Sequence, residues 1–298
     1  MCGIVGLHLK EAALHRRLGE LLTPMLLAMS ERGPDSAGIA IYGDRALDGS
    51  LKWSLRASAG EIPWDDVGAR LGRELDTIVQ MRGVADAAVV TLDGDPKLVM
   101  KTLSEWFPDV TVVSFGHSVE VFKDVGRPAE ICKRYGIAER TGFQGLGHTR
   151  MATESAVTTE HSHPFAAGAD LCLVHNGSFS NYASVRRRLS DAGITFQTDN
   201  DSEVAARFLA YEIEHGADLG EALESLMNRL DGFYTLLVAT ESQFAVVRDS
   251  FACKPAVIAE TDEYVAMASE YHALATLPGI DKAQVVEPMP REIHLWSR

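Results

Sequence analysis

The chain contains no uninterrupted run of 18 apolar residues, so no membrane-spanning helix is expected. Its first twenty residues, MCGIVGLHLKEAALHRRLGE, have no basic region ahead of their apolar stretch and meet charge at once, which excludes a secretory signal. Neither G-x-G-x-x-G nor G-x-x-x-x-G-K-[ST] occurs, so no glycine-rich phosphate loop is encoded. Cysteine is scarce. Cys2, Cys132, Cys172 and Cys253 are far apart and form no C-x-x-C pair, which signals neither a zinc knuckle nor a disulfide framework and fits a reducing cytoplasm. Basic charge is outnumbered, with 28 Lys and Arg against 42 Asp and Glu and a net charge of −14. Such a surface repels phosphate backbones, so no nucleic-acid partner is expected. Internal repeats and low-complexity tracts are also missing.

What is present is an ordinary globular composition, 46% hydrophobic and 23% charged, over 298 residues. At about 100–200 residues per domain this allows one large domain or two small ones. Gly3–Leu9 is short, apolar and β-branched and reads as a buried strand. Leu14–Ser30 carries apolar residues at helical spacing, RGPDSAG (32–38) reads as a loop, and Gly38–Tyr42 as a second strand. The stretch from Gly43 to about Arg73 reads as polar and irregular. Strand Ala85–Leu92, helix Pro96–Phe107, strands Val110–Ser114 and Ser118–Lys123 and helix Pro128–Tyr135 follow, a β-α-β-β-α unit that looks placed inside a larger domain. Strands resume at Phe143–His148 and Leu171–His175. Helices are expected at Tyr182–Ala192, Asp201–His215 and Gly220–Leu230, and the last third alternates strand and turn. The fold class is therefore sheet-rich α+β.

Four features carry chemistry. Cys2 follows the initiator Met, and loss of Met1 would give one residue both a thiol and a free α-amine. An α-amine has a pKa of roughly 7.7–8.0, suited to a general base near neutral pH. Nucleophile and base could then share a residue. Arg150, in GHTRMAT (147–153), stands at a strand end among hydroxyls, where a guanidinium can grip a carboxylate through two parallel bonds or pair with an acid on a neighbouring loop. Asn176-Gly177 at the end of an apolar run reads from spacing as a tight turn, although an Asn amide and the next backbone N–H can also hold an oxyanion. Asp201 and its neighbours open a helix, where capping explains much of the acidity. His161-x-His163 has no further ligand at helical spacing, and no metal is expected there.

Taken in order, these signals resemble the class II glutamine amidotransferase family, whose members use an N-terminal cysteine. The matching segments are MCGIVG (1–6), RGPDSAG (32–38), GHTRMAT (147–153), HSHPF (161–165), VHNGSFSN (174–181), DSEV (201–204), LDGFYTLLVA (230–239) and MASE (267–270). They lie on both sides of residues 44–142. The resemblance implies an N-terminal-nucleophile hydrolase: a four-layer αββα sandwich spanning 2–298, with 44–142 inserted as a small α+β unit. It implies hydrolysis of the side-chain amide of L-glutamine, with Cys2 as nucleophile and its own amine as base. Asn176 and Gly177 would form the oxyanion hole. Arg150 and Thr153 would bind the substrate α-carboxylate and Asp201 its α-ammonium, and Arg32 would order the N-terminus. No cofactor and no metal are implied.

Departures narrow the subtype. Glu154-Ser155 stands where the glucosamine-phosphate synthase branch has a His. The chain reaches Arg298 without a second catalytic domain. It therefore resembles the stand-alone amidotransferase subunit of glutamate-synthase-like complexes, including N-methylglutamate synthase, with a separate synthase subunit expected to accept the ammonia. The alternatives are a free-standing γ-glutamyl amide or peptide hydrolase and a non-catalytic glutamine-sensing subunit. Residues 44–142 either only add bulk, or they dock the synthase partner or cover the site.

Overall fold

A computed structural model describes residues 2–47, 49–58, 62–152 and 156–298. Its central sheet has seven antiparallel strands, built from β1 (Gly3–Leu9), β2 (Ser36–Tyr42), β7 (Val119–Val125), β8 (Gln144–Arg150), β13 (Val257–Glu260), β14 (Tyr264–Ala268) and β15 (Gln284–Val286). The order is β15-β13-β14-β1-β8-β2-β7, which puts the N-terminal strand in the middle. A second sheet, ordered β16-β12-β11-β10-β9, joins β9 (Phe165–Ala166), β10 (Cys172–Phe179), β11 (Gly232–Ala239), β12 (Gln243–Arg248) and β16 (Ile293–Ser297). A third contains β3 (Ser50–Ala57), β4 (Gln80–Val84), β5 (Ala87–Asp93) and β6 (Val110–Gly116), ordered β4-β5-β3-β6.

The period-2 alternation of side chains sorts the residues of each strand into layers. On β1, Val5, Leu7 and Leu9 face one core with Leu18, Leu22, Met25 and Leu26 of α1 (Leu18–Ala28), while Ile4 faces the other sheet. On the five-stranded sheet, Val174, Leu237, Phe244 and Val246 meet Ile4 in the central layer. Leu173, Leu236, Val238 and Val247 point away to α5 (Tyr182–Asp191), α6 (Asp201–Glu214) and α7 (Leu219–Arg229). Both faces of both sheets are covered, which explains why GIVGLHL is buried at every position and reads as a continuous apolar run. Gly6 is required by this layering, because a Cβ there would run into Leu237 and Phe244 of the facing sheet. Truncating a filled α1 position such as Leu22 to Ala should cost about 2–5 kcal/mol.

Helices α2 (Trp64–Leu75) and α3 (Pro96–Trp106) pack on the four-stranded sheet around Trp53, Leu55, Leu71, Val90 and Leu103. The stretch expected to be irregular is in fact strand β3 followed by α2. Lys52, Ser54 and Arg56 alternate with buried Trp53, Leu55 and Ala57, so one strand face is polar. β4 was likewise not anticipated. The segment with its own core is also narrower than 44–142. β7 extends the seven-stranded sheet beside β2, and α4 (Pro128–Arg134) sends Ile131 and Cys132 into the α1 core.

The chain leaves and re-enters at one place: Ala46 N–H donates to His117 O at 2.7 Å. That stem is clasped by Asp170, whose carboxylate accepts the backbone N–H groups of His117, Ser118 and Val119 at 2.6, 2.9 and 3.0 Å. Salt bridges from Arg56 to Asp124 and from Lys52 to Glu120 tie β3 to β7.

Candidate active site

The start of β1 is held from three directions. Gly3 pairs with Thr149 of β8. Ile4 N–H donates to Ser269 Oγ at 3.0 Å, and Ser269 N–H donates to Ile4 O at 2.9 Å. Arg32 Nε donates to Cys2 O at 3.1 Å, while the Arg32 Nη1 group forms an ion pair with Glu270. Cys2 is thereby fixed just beyond the strand end, half-buried, with its Sγ 3.9 Å from Met151 O.

Arg150 ends β8 on the same edge. It is buried and donates from Nη1 to Ala156 O at 3.0 Å. Burial pulls its pKa below the usual guanidinium value, opposed by the charges of Cys2 and Asp35. The loop at 32–38 shapes this corner. Asp35 N–H donates to Arg150 O at 3.1 Å, and Asp35 Oδ2 accepts Ala152 N–H at 2.9 Å. Gly33 lies so close to the Thr149–Arg150 backbone that a Cβ would collide with it. Thr153 lies outside the described residues.

The expected turn at Asn176-Gly177 is not a turn. β10 runs through both residues to Phe179, paired with β11 in the register Asn176↔Thr235 and Gly177↔Tyr234. Gly177 has φ +144°, and a Cβ there would strike Phe233 O, so the position needs glycine. The spacing of an Asn-Gly pair cannot distinguish this in-strand distortion from a hairpin. Asn176 is buried, and its Nδ2 has no partner among the described residues. A buried amide donor without a partner is free to receive a developing negative charge.

Asp201 does not cap its helix. The cap is Asn200, whose side chain accepts Ser202 N–H at 2.8 Å. The Asp201 carboxylate instead turns toward β10, where Oδ2 accepts Phe179 N–H at 2.9 Å and Oδ1 accepts Ser202 Oγ–H at 3.2 Å. Its Oδ1 also stands 3.9 Å from His175 Nδ1.

Cys2, Arg150, Gly177 and Asp201 line one cleft of about 580 Å³. A cationic group at one point and a carboxylate at another suit a zwitterionic amino acid, and a half-buried thiol on the same cleft as Gly177, the residue after an unpartnered amide donor, suits acyl transfer. Sequence reasoning missed three residues of this cleft: His163, His175 and Lys254. His175 Nδ1 lies 2.7 Å from Ser202 Oγ, and His148 Nε2 donates to His175 O at 3.0 Å, bridging β8 to β10. Lys254 Nζ sits 5.2 Å from the Phe233 ring centroid, with no carboxylate in salt-bridge reach among the described residues. Only the position of HSHPF and VHNG within matching segments pointed to the two histidines. Glu270 was likewise quoted in a segment but given no role.

The two histidines of HSH part company. His161 bonds Asp199 Oδ1 at 2.7 Å and Thr158 Oγ1 at 2.8 Å, whereas His163 stacks on His148. Elsewhere, His117, Asp170 and Glu241 bring ligand atoms within 4.8 Å of one another, but the Asp170 oxygens already accept backbone amides. No described helix is long and apolar enough to cross a membrane.

Residues 148–276 match a family described as the glutamine amidotransferase domain. The chain is 47% identical over 300 residues to the glutamine amidotransferase-like protein GlxB of Rhizobium meliloti (strain 1021), covering 100% of this chain and 98% of that one. A protein of Methanothermobacter thermautotrophicus (strain Delta H) named as a glutamine amidotransferase is 33% identical over 307 residues, covering 100% of both. In fold, the chain is similar to the glutamine phosphoribosylpyrophosphate amidotransferase from B. subtilis, with TM-score 0.62 and 18% identity. That match covers 100% of this chain and 49% of the other, so this chain spans about half of that structure's length.

Proposed function

The chain belongs to the class II glutamine amidotransferase family, and from that membership we propose that it hydrolyses the side-chain amide of L-glutamine to glutamate and ammonia at Cys2. The Cys2 thiol is the nucleophile, and its α-amine, once Met1 is removed, is the base. The thiolate attacks the amide carbon, and the tetrahedral oxyanion is held by Asn176 Nδ2 and Gly177 N–H. The α-amine passes the thiol proton to the departing nitrogen, which leaves as ammonia, and water then hydrolyses the thioester. Arg150, with Thr153, binds the α-carboxylate and Asp201 the α-ammonium. Each leaves a charge unpaired if the matching group is missing, which selects a free amino acid. Arg32 orders the nucleophile through the Cys2 carbonyl.

The observation that carries this reading is the gathering of Cys2, Arg150, Gly177 and Asp201 on one cleft from four distant chain segments. Purified protein should release ammonia and glutamate from L-glutamine, and Cys2→Ala should release neither while keeping the parent's circular-dichroism spectrum and Tm. Full activity in that variant would overturn the assignment.

Residues 2–298 form one amidotransferase domain; within 44–142 the four-stranded sheet and its own core are the inserted unit, while β7 and α4 pack with the main sheet. The ammonia acceptor is a separate synthase subunit of the glutamate-synthase-like kind, N-methylglutamate synthase included. A relative of matching length, 98% covered, supports a free-standing glutaminase subunit. A second reading, a γ-glutamyl amide or peptide hydrolase, is favoured by the additional cation Lys254 in the cleft. Faster cleavage of a γ-glutamyl dipeptide than of glutamine would select it.

A further inference from the structure

Two permanent cations line the cleft, Arg150 and Lys254. Arg150 is assigned to the substrate α-carboxylate. Lys254 has no part in the steps given to Cys2, Asn176, Arg150 or Asp201. Among the described residues its ammonium meets the Phe233 ring, 5.2 Å from the centroid, and no carboxylate holds it.

The strand register places that ammonium. In an antiparallel pair, residues directly opposite each other project to the same face, and the face alternates along each strand. Asn176 lies opposite Thr235, and Ser178 opposite Phe233. Val174 and Leu237, two residues further along each strand, face the central layer with Ile4 of β1. Asn176 and Thr235 therefore share that face, toward the sheet that Cys2 leads into. Lys254 is attached to the same stretch of β11 at two points. Thr235 Oγ1 donates to Lys254 O at 3.1 Å, and the ammonium stands over the Phe233 ring. The loop leading to it is pinned as well. Buried Asp249 accepts the N–H groups of Phe251 and Ala252 through Oδ1 at 2.6 and 2.5 Å, and Arg248 Nη2 donates to Ala252 O at 2.6 Å. The backbone of Lys254 is thus fixed beside Asn176, while its four-carbon stem keeps its freedom to reach a ligand.

This leaves the charge of the cleft unbalanced. Arg150 and Asp201 match the two charges of a zwitterionic amino acid. Asp199 is bonded to His161 at 2.7 Å, with its side chain 84% exposed. Lys254 remains, a positive charge on the strand face of Asn176, whose Nδ2 also has no partner among the described residues. The amide end of glutamine carries no charge to meet it. The product does. When water attacks the thioester, the C–S bond breaks and one water proton re-forms the thiol. The other leaves as the new acid ionises, so a γ-carboxylate stands where the amide stood. We propose that Lys254 is the receptor for this carboxylate, so that the cleft holds glutamine by two charged contacts and L-glutamate by three. The receptor rests on the glutaminase reading, since glutamate is that reaction's product. It makes L-glutamate a strong competitive inhibitor, so accumulated product restrains further hydrolysis.

Binding without turnover tests this. Cys2→Ala lacks the nucleophile, so calorimetric titration reads its affinity for L-glutamine, L-glutamate and γ-L-glutamylglycine in turn. L-glutamate should bind more tightly than L-glutamine. Adding Lys254→Met, which keeps the length of the stem and removes the charge, should weaken L-glutamate about tenfold or more and leave L-glutamine nearly unchanged. Retained glutamine binding shows that this double variant is folded. Adding Lys254→Arg instead should keep the preference for L-glutamate. An unchanged affinity for L-glutamate in Lys254→Met, or an equal loss for both amino acids, overturns the receptor while the glutaminase reading stands. A loss confined to γ-L-glutamylglycine overturns it in favour of a carboxylate beyond the amide, as a peptide substrate would carry. Failure of Cys2→Ala to bind L-glutamate overturns it too. Absence of ammonia release by the parent protein overturns the glutaminase reading and the receptor with it.

Discussion

Arg32 links Glu270 to Cys2: one guanidinium nitrogen donates to the Cys2 carbonyl at 3.1 Å while another pairs with the Glu270 carboxylate. Two residues 238 positions apart thus fix the backbone of Cys2 without touching its sulfur. Removing Glu270 leaves the Arg32 charge unbalanced and its fork free to rotate. Because the Glu270 side chain is 39% exposed, solvent replaces part of what is lost. Glu270→Ala should lower kcat roughly three- to tenfold, about 0.7–1.4 kcal/mol in the barrier, with KM for glutamine little changed. Steady-state ammonia release measures both; a pure KM effect would place Glu270 in substrate binding instead.

Arg150 is expected to act mainly on affinity. Arg150→Ala removes charge-assisted bonds to the α-carboxylate, each worth about 1.5–3 kcal/mol, so KM should rise by about 10²-fold. A fall in kcat at constant KM would show that Arg150 contributes to the transition state alone.

Processing should gate activity. A variant that retains Met1, verified by mass spectrometry, places an amide where the base is needed and should lose glutaminase activity. Full activity with Met1 in place would assign the base to another group.

Acid should weaken the fold through its buried imidazoles. The His148 pKa falls from 6.5 unfolded to about 3 folded, chiefly by desolvation, so the unfolded state binds the proton first. The contribution is complete above pH 6.5 and is lost as pH falls toward 3. His148→Gln keeps an N–H donor near the His175 carbonyl without a titrating ring. The unfolding free energy from urea titrations should therefore fall further between pH 7 and pH 5 in the parent than in the variant, by an amount on the order of 2 kcal/mol. Parallel curves would show that His148 protonation is not linked to folding.

The stem between Ala46 and His117 marks where the four-stranded unit can be removed. Replacing residues 47–116 by a short linker spares β7 and its place beside β2. The product should fold with a lower Tm, because Ala87 and Val89 leave the α1 core and Arg56 leaves Asp124. It should retain the proposed glutaminase activity and lose co-purification with the proposed synthase subunit. Undiminished co-purification would remove this unit from the docking surface.

The layers were legible because strands buried on both faces, such as Gly3–Leu9, carry unbroken apolar runs. Strand β3 escaped because Lys52, Ser54 and Arg56 occupy a polar face that neighbouring acids neutralise, and those acids come from elsewhere in the chain. Cys2, Arg150, Asn176 and Asp201 could be nominated because each stands in a short motif. What Asp201 does required the structure, since only there does Asn200 take the cap and free the carboxylate. Lys254 gave no signal and His163 only its place in HSHPF, because their meaning lies in what surrounds them after folding.

The central position of β1 bears on the order of events at the ribosome. The strand that follows Cys2 has one neighbour at Gln144–Arg150 and the other at Tyr264–Ala268. The first strand to emerge therefore waits for one of the last before it is enclosed on both edges. Contacts so distant along the chain are slow to form. Throughout that interval the N-terminus stays open to solvent, which would give the proposed removal of Met1 a window before the sheet closes around β1.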